Sequence, residues 1–388
     1  MARIRIEYWE KWGGEEWDAM ASIVRSFNDA QHSFEVVMMP AGDWSSSPDL
    51  PRFLTAQQQG TPPDLIGLED HQIVDLAVQG ALTPLEETVT PAELATMGYH
   101  RPFLELGMHN DKLYGVPVSG DIVTLYVNLA SVQGTPFEAG RIPTDLSEFD
   151  VGLEQLRAQN KIGLVPTYPG WWPQIWPMFF GGFWFDSEGK FTPDYPANVQ
   201  AYEWVSSFRK RWDLDAFHAL FNPIGAREPD PFLVGEVAMI FEGDWLVRRL
   251  LHAPDLEWMP AAFPTVNQKP AALIVADVLS IPKGAQHPEG AAAFLHYAMQ
   301  PREIERLALG HSKISPLRTW SRSFLAQHRN DKLGMLRDIL SSSQLFHDPR
   351  VPGWVRYLDQ IKRAFVRIWS GKQAPAQALA LASGVHVD

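Results

Sequence analysis

Residues 3–28 read RIRIEYWEKWGGEEWDAMASIVRSFN, and the two halves of this stretch have different hydrophobic periods. Over residues 3–9 apolar and charged side chains alternate, which is the period of a half-buried β-strand. Over residues 15–28 the apolar side chains recur at helical spacing on one face, formed by Trp17, Met20, Ile23, Val24 and Phe27. The stretch therefore predicts a strand followed by an amphipathic helix.

The same alternation continues along the chain. The sequence predicts a second strand over residues 34–39, a helix over residues 52–59 and a short apolar strand over residues 64–68. This β-α-β-α-β order is typical of an α/β fold with a mostly parallel sheet covered by helices. Further helices are predicted over residues 288–300 and 355–369.

In sheets of this kind, ligands bind beyond the carboxyl ends of the strands. The residues at these positions are 9–14, 41–44 and 69–70, and they include several aromatic and acidic side chains. We therefore expect ligand contacts from these three turns.

Length and composition limit the possible classes of protein. The chain has 388 residues, which is more than one compact core usually holds, so two domains are expected. The net charge of −13 argues against a nucleic-acid partner, which would require a basic surface. The absence of cysteine excludes disulfides, thiol catalysis and cysteine zinc sites. No apolar run approaches the roughly 20 residues of a membrane-spanning helix.

Two aromatic segments combine tryptophan with carboxylates and glycine. Residues 181–193 read GGFWFDSEGKFTP, and residues 235–245 read GEVAMIFEGDW. Glycine lets the backbone approach a guest molecule, an indole ring supplies an apolar plane, and carboxylates accept hydrogen bonds. This combination favours a small hydroxyl-bearing ligand such as a sugar. Residues 168–185 hold nine aromatics in all, interrupted by prolines, which indicates an aromatic-lined loop or domain wall.

The order of motifs resembles the extracellular solute-binding proteins of ABC importers, specifically the carbohydrate-binding group that includes maltose-binding protein. The matching segments cover nearly the whole chain: Trp9, Gly13-Gly14 and Phe27-Asn28, GTPPDLIGLED at 60–70, GALTPLEE at 80–87, DKLYGVPVSGDIVTLYVN at 111–128, residues 232–245, ADVLSIPKGAQHPEGAAAFL at 276–295 and Ser370-Gly371-Lys372. The chain departs from the family at Ala276-Asp277, where a glycine pair is common. The Asp277 carboxylate either contacts the ligand or caps the end of a strand.

The resemblance implies a two-lobed periplasmic-binding-protein fold with a hinge and a ligand cleft. The N-terminal lobe is expected to comprise residues 1–118 and 279–318, and the C-terminal lobe residues 119–278 and 319–388. The chain would cross between lobes near residues 118–121, 276–278 and 316–323, and the lobes would close over the ligand. The implied partners are a carbohydrate and the transmembrane permease subunits of an ABC importer.

The resemblance also implies where the protein works. We expect a monomer that is periplasmic, or extracellular and membrane-anchored, with a secretion leader encoded upstream of residue 3. No leader is visible at residues 1–9.

The turns and the family motifs together indicate candidate ligand contacts among side chains with indole, carboxylate or guanidinium groups. We predict ligand contacts from eleven residues: Trp12, Asp43, Trp44, Glu69, Asp70, Asp121, Trp172, Trp184, Trp245, Asp277 and Arg356. Trp245 is the first choice, because the tryptophan at the matching family position stacks on a sugar ring; the alternative is a core residue. Trp172 and Trp184 compete for a second stacking role. Asp70 could instead cap the helix that follows it.

Two other functions remain open from the sequence. Acidic loops beside aromatic rings would also suit a polyamine or another small cation. Glu69-Asp70 and Glu86-Glu87 could be read as an acid/base pair for glycoside hydrolysis, although adjacent residues rarely give the opposed placement that this reaction needs. The histidines show no ligand spacing, and nucleotide and hydrolase motifs are absent. We therefore predict a binding protein with no catalytic residue, no cofactor and no metal.

Overall fold

A computed structural model describes residues 2–42, 48–169, 173–211 and 230–383 of the chain. Within them, eleven strands are β1 Ile4–Glu10, β2 Phe34–Pro40, β3 Leu65–Glu69, β4 Met108–His109, β5 Lys112–Leu113, β6 Val116–Asn128, β7 Ile162–Leu164, β8 Val237–Gly243, β9 Trp258–Ala261, β10 Ala271–Ser280 and β11 Gln344–Phe346. The α-helices of the same residues are α1 Gly14–Ala30, α2 Leu50–Gln58, α3 Asp70–Val78, α4 Pro91–Thr96, α5 Arg101–Leu106, α6 Leu146–Ala158, α7 Trp176–Phe179, α8 Pro196–Arg211, α9 Leu246–Leu250, α10 Pro288–Ala298, α11 Pro301–His311, α12 Arg322–Gln327, α13 Leu333–Ser342, α14 Trp354–Trp369 and α15 Pro375–Ser383. A short 3₁₀ helix spans Glu138–Gly140.

The chain divides into two compact units. Unit 1 comprises Met1–Asp121, Ile274–Asp331 and Arg350–Pro352, and unit 2 comprises Ile122–Leu273, Lys332–Pro349 and Gly353–Asp388. Residues 319–331, which the sequence assigned to the C-terminal lobe, fall in unit 1. There Ser321 donates to Glu305 at 2.6 Å, which ties the start of α12 to α11. The long strands β6 and β10 each begin in one unit and end in the other.

Unit 1 contains the parallel sheet that the first 70 residues predict. Its strand order is β2-β1-β3-β10-β6, and β1 is parallel to both β2 and β3. β10 is antiparallel to β3, with Asp277 opposite Glu69. α1 buries Met20, Ile23, Val24 and Phe27, four of the five residues of the predicted apolar face. The three predicted strands and the first helix are confirmed to within two residues at each end.

The strands of unit 2 are arranged around β8. β8 lies between β6, to which it is antiparallel, and β7, to which it is parallel. β9 pairs with β6, and β11 pairs with the first residues of β10. The core of this unit is an aromatic cluster of Trp176, Phe179, Trp204, Phe241 and Phe263.

The aromatic segment of residues 168–185 contributes four of its described rings to the interior of unit 2. Its described part begins again at residue 173 and includes α7, and Trp176, Phe179, Phe180 and Trp184 are all buried. These four rings pack on α8 and on strands of unit 2 and supply core area, whereas Phe183 is exposed. No helix of the described residues is long and apolar enough to cross a membrane.

Candidate functional site

The turn that follows β1 is held in place by a buried glutamate. Glu10 Oε1 accepts the backbone N–H groups of Lys11 at 2.6 Å and Trp12 at 3.1 Å, and Glu10 Oε2 accepts the Tyr8 hydroxyl. On the neighbouring strand, a Cβ at Gly67 would lie 2.9 Å from Glu10 Oε1, so glycine provides the space for this carboxylate. The turn therefore presents Lys11 and Trp12 in a defined arrangement at the carboxyl end of β1.

Lys11 pairs with two of the predicted site residues. Its Nζ lies 2.6 Å from Asp277 Oδ1 and 3.8 Å from Glu69 Oε1. Lys11 is 5% exposed, whereas the Glu69 side chain is 24% exposed. The ion pair is thus mostly shielded from water, with Glu69 at its accessible edge.

A second lysine extends this network. Lys313 Nζ lies 3.0 Å from Asp121 Oδ1, 3.2 Å from Glu16 Oε1 and 3.8 Å from Asp277 Oδ2. Asp277 therefore lies between Lys11 and Lys313. We call the set Lys11, Glu16, Glu69, Asp121, Asp277 and Lys313 the polar cluster; all six residues belong to unit 1.

Trp12 is part of the same arrangement, but its ring is not open to solvent. The residue is 2% exposed, its Nε1 donates to Asp277 Oδ2 at 3.2 Å, and His311 meets the ring edge-on at a centroid distance of 4.4 Å. Trp12 therefore orients the Asp277 carboxylate and does not present a free stacking face.

Burial and pairing shift the pKa values of several of these groups. Burial raises the pKa of Asp121 to about 6, against the opposing effect of Lys313. Burial would lower the pKa of Lys11, but the carboxylates of Asp277 and Glu69 outweigh it, so the net pKa is raised and the ammonium form is favoured. Burial also raises the pKa of Glu10 to about 7, although three hydrogen bonds favour its ionised form. Pairing with Asp277 and Glu69 therefore keeps Lys11 in its charged form.

Glu69 and Asp70 also shape the start of α3. The Glu69 side chain and Gln72 form a reciprocal capping box, in which Gln72 Oε1 accepts the Glu69 N–H at 3.0 Å. Asp70 Oδ1 accepts the backbone N–H of Ala276 at 3.3 Å, which joins α3 to β10. Asp70 is buried and is the first residue of α3, whose N-cap is Glu69, so the capping role considered for Asp70 from the sequence falls to Glu69.

In unit 2, Trp245 follows β8 and starts α9. Its six-membered ring lies against Gly243: a Cβ added there would meet Cζ3 and Cη2 of Trp245 at 2.3 Å and Cε3 at 2.4 Å. The indole also hydrogen-bonds Glu242, the last but one residue of β8. Trp245 is only partly buried, which distinguishes it from the buried Trp176 and Trp184.

Trp184 and Arg356 lie in different surroundings from Trp245. Trp184 is 1% exposed, donates from Nε1 to the Gln174 carbonyl at 2.8 Å, and packs on Phe191 and Tyr202. It is a core residue of unit 2 and offers no accessible ring face. Arg356 is exposed in the first turn of α14. Both residues belong to unit 2, whereas the polar cluster belongs to unit 1.

Three predicted contacts, Asp43, Trp44 and Trp172, lie outside the described residues. Of the other eight, the structure joins Trp12, Glu69, Asp121 and Asp277 in one network of unit 1. Lys11 lies in the 9–14 turn from which the sequence predicts ligand contacts.

Sequence reasoning missed Lys313, Glu16 and the supporting Glu10. Glu16 looked like an ordinary acidic residue in the first turn of a helix. Lys313 follows α11 after Ser312, whose φ of 58° ends the helix in the left-handed region, and no local pattern links it to Asp121. Glu10 could have been found as a carboxylate at the carboxyl end of the first strand, directly before Lys11 and Trp12.

A family model described as "Bacterial extracellular solute-binding protein" matches residues 22–321, which is more than three quarters of the chain. The chain belongs to this family. The family binds solutes and is not a family of enzymes, so the glycoside-hydrolase alternative is wrong. No match was found among curated proteins.

Solved structures of other binding proteins share the fold of this solute-binding protein. The mannotriose-bound CpMnBP1 is 22% identical with a TM-score of 0.81, and the match covers 98% of this chain and 99% of that one. The sugar-binding protein MalE from Xanthomonas citri is 18% identical with a TM-score of 0.80 and coverage of 98% and 95%. The cyclic alpha-maltosyl-1,6-maltose binding protein from Arthrobacter globiformis is 16% identical with a TM-score of 0.79 and coverage of 98% and 97%. These likenesses confirm the predicted α/β periplasmic-binding-protein fold.

Proposed function

We propose that this solute-binding protein captures a sugar or oligosaccharide for an ABC importer, through the polar cluster of unit 1 and the Trp245 ring of unit 2. The observation that carries the proposal is the pairing of Lys11 with Asp277 and Glu69 at the carboxyl ends of β1 and β3. Partly exposed Trp245 supplies the apolar plane that a sugar ring requires.

The chemistry of the polar cluster suits hydroxyl groups. A sugar hydroxyl donates one hydrogen bond and accepts others, so it can bond a carboxylate and a lysine ammonium at once. Glu69, at the accessible edge of the pair, is the group through which such a ligand would first contact the cluster. Trp12 then acts indirectly, because its indole N–H holds Asp277 in place.

A small cation such as a polyamine is the second candidate. The polar cluster favours it in one respect, since four carboxylates face two lysines. However, each carboxylate already lies within 4 Å of a lysine Nζ, so a cationic ligand would have to compete with a tethered ammonium. The sugar proposal avoids this competition.

Lys11→Met separates these two candidates. The substitution removes one positive charge beside Asp277 and Glu69, which should strengthen binding of a cation and weaken binding of a neutral sugar. Lys362→Met, on the surface helix α14 of unit 2, is a matched control for the loss of one lysine.

The proposal also covers the partners and location of the protein. We propose that the ligand is held by groups of both units, which close by a hinge movement, and that the closed protein engages transmembrane permease subunits. The protein would act as a monomer, in the periplasm or anchored at the outer face of the membrane. Small-angle scattering with and without ligand tests closure, because closing reduces the radius of gyration.

A thermal-shift screen followed by calorimetry tests the ligand class. The panel contains mannobiose, mannotriose, maltose and tagatose, with putrescine and spermidine as cation probes. Ligand at 100 times Kd stabilises the native state by about 2.7 kcal/mol, which gives a readily measured rise in melting temperature. A saturable rise with an oligosaccharide and none with the amines supports the proposal. A rise with the amines and none with an oligosaccharide would show that the ligand is a cation.

A further inference from the structure

The end of β8 holds two features that act on the same indole ring. Gly243 lets the six-membered ring of Trp245 lie where any side chain would place a Cβ 2.3 Å from ring atoms. Glu242, immediately before it, hydrogen-bonds the Trp245 side chain. The contact with Gly243 restricts the plane of the ring, and the hydrogen bond to Glu242 restricts rotation of the ring within that plane.

The Glu242 carboxylate is built into the interior of unit 2. The residue is 5% exposed, it lies opposite Thr124 of β6, and its Oε1 accepts the Gly243 N–H at 2.8 Å. Nearby charges are Arg249 of α9 and Asp230, which form an ion pair at 2.7 Å. Glu242 is thus surrounded by protein and directed at the backbone and side chain that follow it.

A buried carboxylate in this position has an energetic cost. Burial raises the pKa of Glu242 to about 8, while the hydrogen bonds from Gly243 and Trp245 and the charge of Arg249 lower it. A neutral residue would avoid the desolvation penalty. In return for this cost, Glu242 provides a hydrogen-bond acceptor for the Trp245 side chain.

We propose that Glu242 is a positioning residue for ligand binding: together with Gly243 it fixes the orientation in which the Trp245 ring meets the ligand. This inference rests on the proposed function. A ring that is already oriented loses less conformational freedom on binding, so the gain appears as affinity. Glu242 itself does not contact the ligand.

A double-mutant cycle tests whether Glu242 acts through Trp245. The four proteins are wild type, Glu242→Ala, Trp245→Ala and the double variant, and the probe is mannotriose or, if it binds more tightly, maltose. In the wild type, Glu242→Ala should weaken binding roughly tenfold. In the Trp245→Ala protein, it should leave the dissociation constant unchanged within about twofold. Equal losses in both backgrounds would overturn the inference.

The conservative variant Glu242→Gln separates positioning from a general effect on folding. A glutamine oxygen can still accept the indole N–H, so this variant should retain affinity to within about threefold of wild type. If Glu242→Gln weakens binding as much as Glu242→Ala, the positioning role is contradicted. Melting temperatures measured in parallel identify any variant that fails to fold.

A measurement without ligand keeps this inference distinct from the proposed function. In protein labelled with ¹⁵N at the indole, the Trp245 signal is identified by its loss in Trp245→Phe. This signal should shift with a midpoint near pH 8 in the wild type and stay constant in Glu242→Gln. Asp230→Asn should preserve the transition, because Glu242 is the group that hydrogen-bonds the indole. A signal that does not respond to Glu242 would overturn the inference, whereas a response without any sugar binding would refute only the proposed function.

Discussion

Truncation of Trp245 and of Trp184 should have opposite consequences, although the sequence places both residues beside glycine and a carboxylate. Trp245 is partly exposed at the start of α9, while Trp184 is 1% exposed among Phe191 and Tyr202. We expect Trp245→Ala to reduce affinity and Trp184→Ala to reduce stability. The pair is well matched because the same side-chain atoms are removed.

The magnitudes follow from the surroundings of each ring. Loss of a stacking anchor typically costs about 2 kcal/mol or more in binding, which corresponds to about thirtyfold in Kd. Truncating the buried Trp184 should cost about 3–5 kcal/mol of unfolding free energy. It also leaves the Gln174 carbonyl without the indole donor now at 2.8 Å. At about 2–4 °C per kcal/mol, the melting temperature should fall by roughly 6–20 °C.

Calorimetric titration with the best oligosaccharide of the panel and thermal melting of the same samples measure both quantities. Trp245→Ala should melt within a few degrees of the wild type and bind about thirtyfold more weakly. Trp184→Ala, measured well below its lowered melting temperature, should bind within a few-fold of the wild type. An unchanged Kd for Trp245→Ala together with a collapsed melting temperature would refute this reasoning and make Trp245 a core residue.

Three further predictions concern the residues that support the site. Lys11→Met should lower the unfolding free energy by about 3 kcal/mol because it leaves Asp277 short of a partner, and adding Asp277→Asn should restore part of this loss in denaturant titrations. Glu10→Gln tests the raised pKa of Glu10, which is about 7 in the folded protein against an ordinary 4.5. Because the folded pKa is the higher one, the wild type should lose stability relative to the variant as pH rises from about 4.5 to about 7, by at most about 3 kcal/mol. If the difference in unfolding free energy between the wild type and Glu10→Gln stays constant across this pH range, the prediction is contradicted. Gly243→Ala should displace the Trp245 ring by about 1 Å, the gap between 2.3 Å and an ordinary contact, and weaken sugar binding about tenfold with little change in melting temperature.

The first 70 residues predicted the α/β fold well, because their signals are local. Alternation at the first strand and helical spacing over α1 reflect which faces these elements bury, and each can be read within a few residues. The sequence predicts ligand contacts from Trp12 and Glu69 at the carboxyl ends of β1 and β3, and these two ends lie side by side because the strands are parallel. In the structure Trp12 bonds Asp277 and Glu69 lies near Lys11, while their contact with a ligand stays a prediction.

The details of the site depended on contacts between distant segments. Lys313 joins Asp121, although 192 positions separate them, and Asp277 lies opposite Glu69 through an antiparallel pairing. No local pattern encodes such a pairing. The role of Trp12 also differs from expectation, because its ring is covered and its N–H group holds Asp277.

The sequence by itself determined the order of strands and helices over the first 70 residues, the binding-protein family and the segments in which tryptophan meets carboxylate and glycine. Which tryptophan stays accessible was decided by the tertiary structure. Trp184 follows two glycines, yet it is enclosed by Phe191, Tyr202 and the Gln174 carbonyl. Trp245 lies on Gly243 and is only partly buried. The physical reason is that burial depends on every segment that packs against a side chain, whereas hydrophobic periodicity depends only on the segment that carries it.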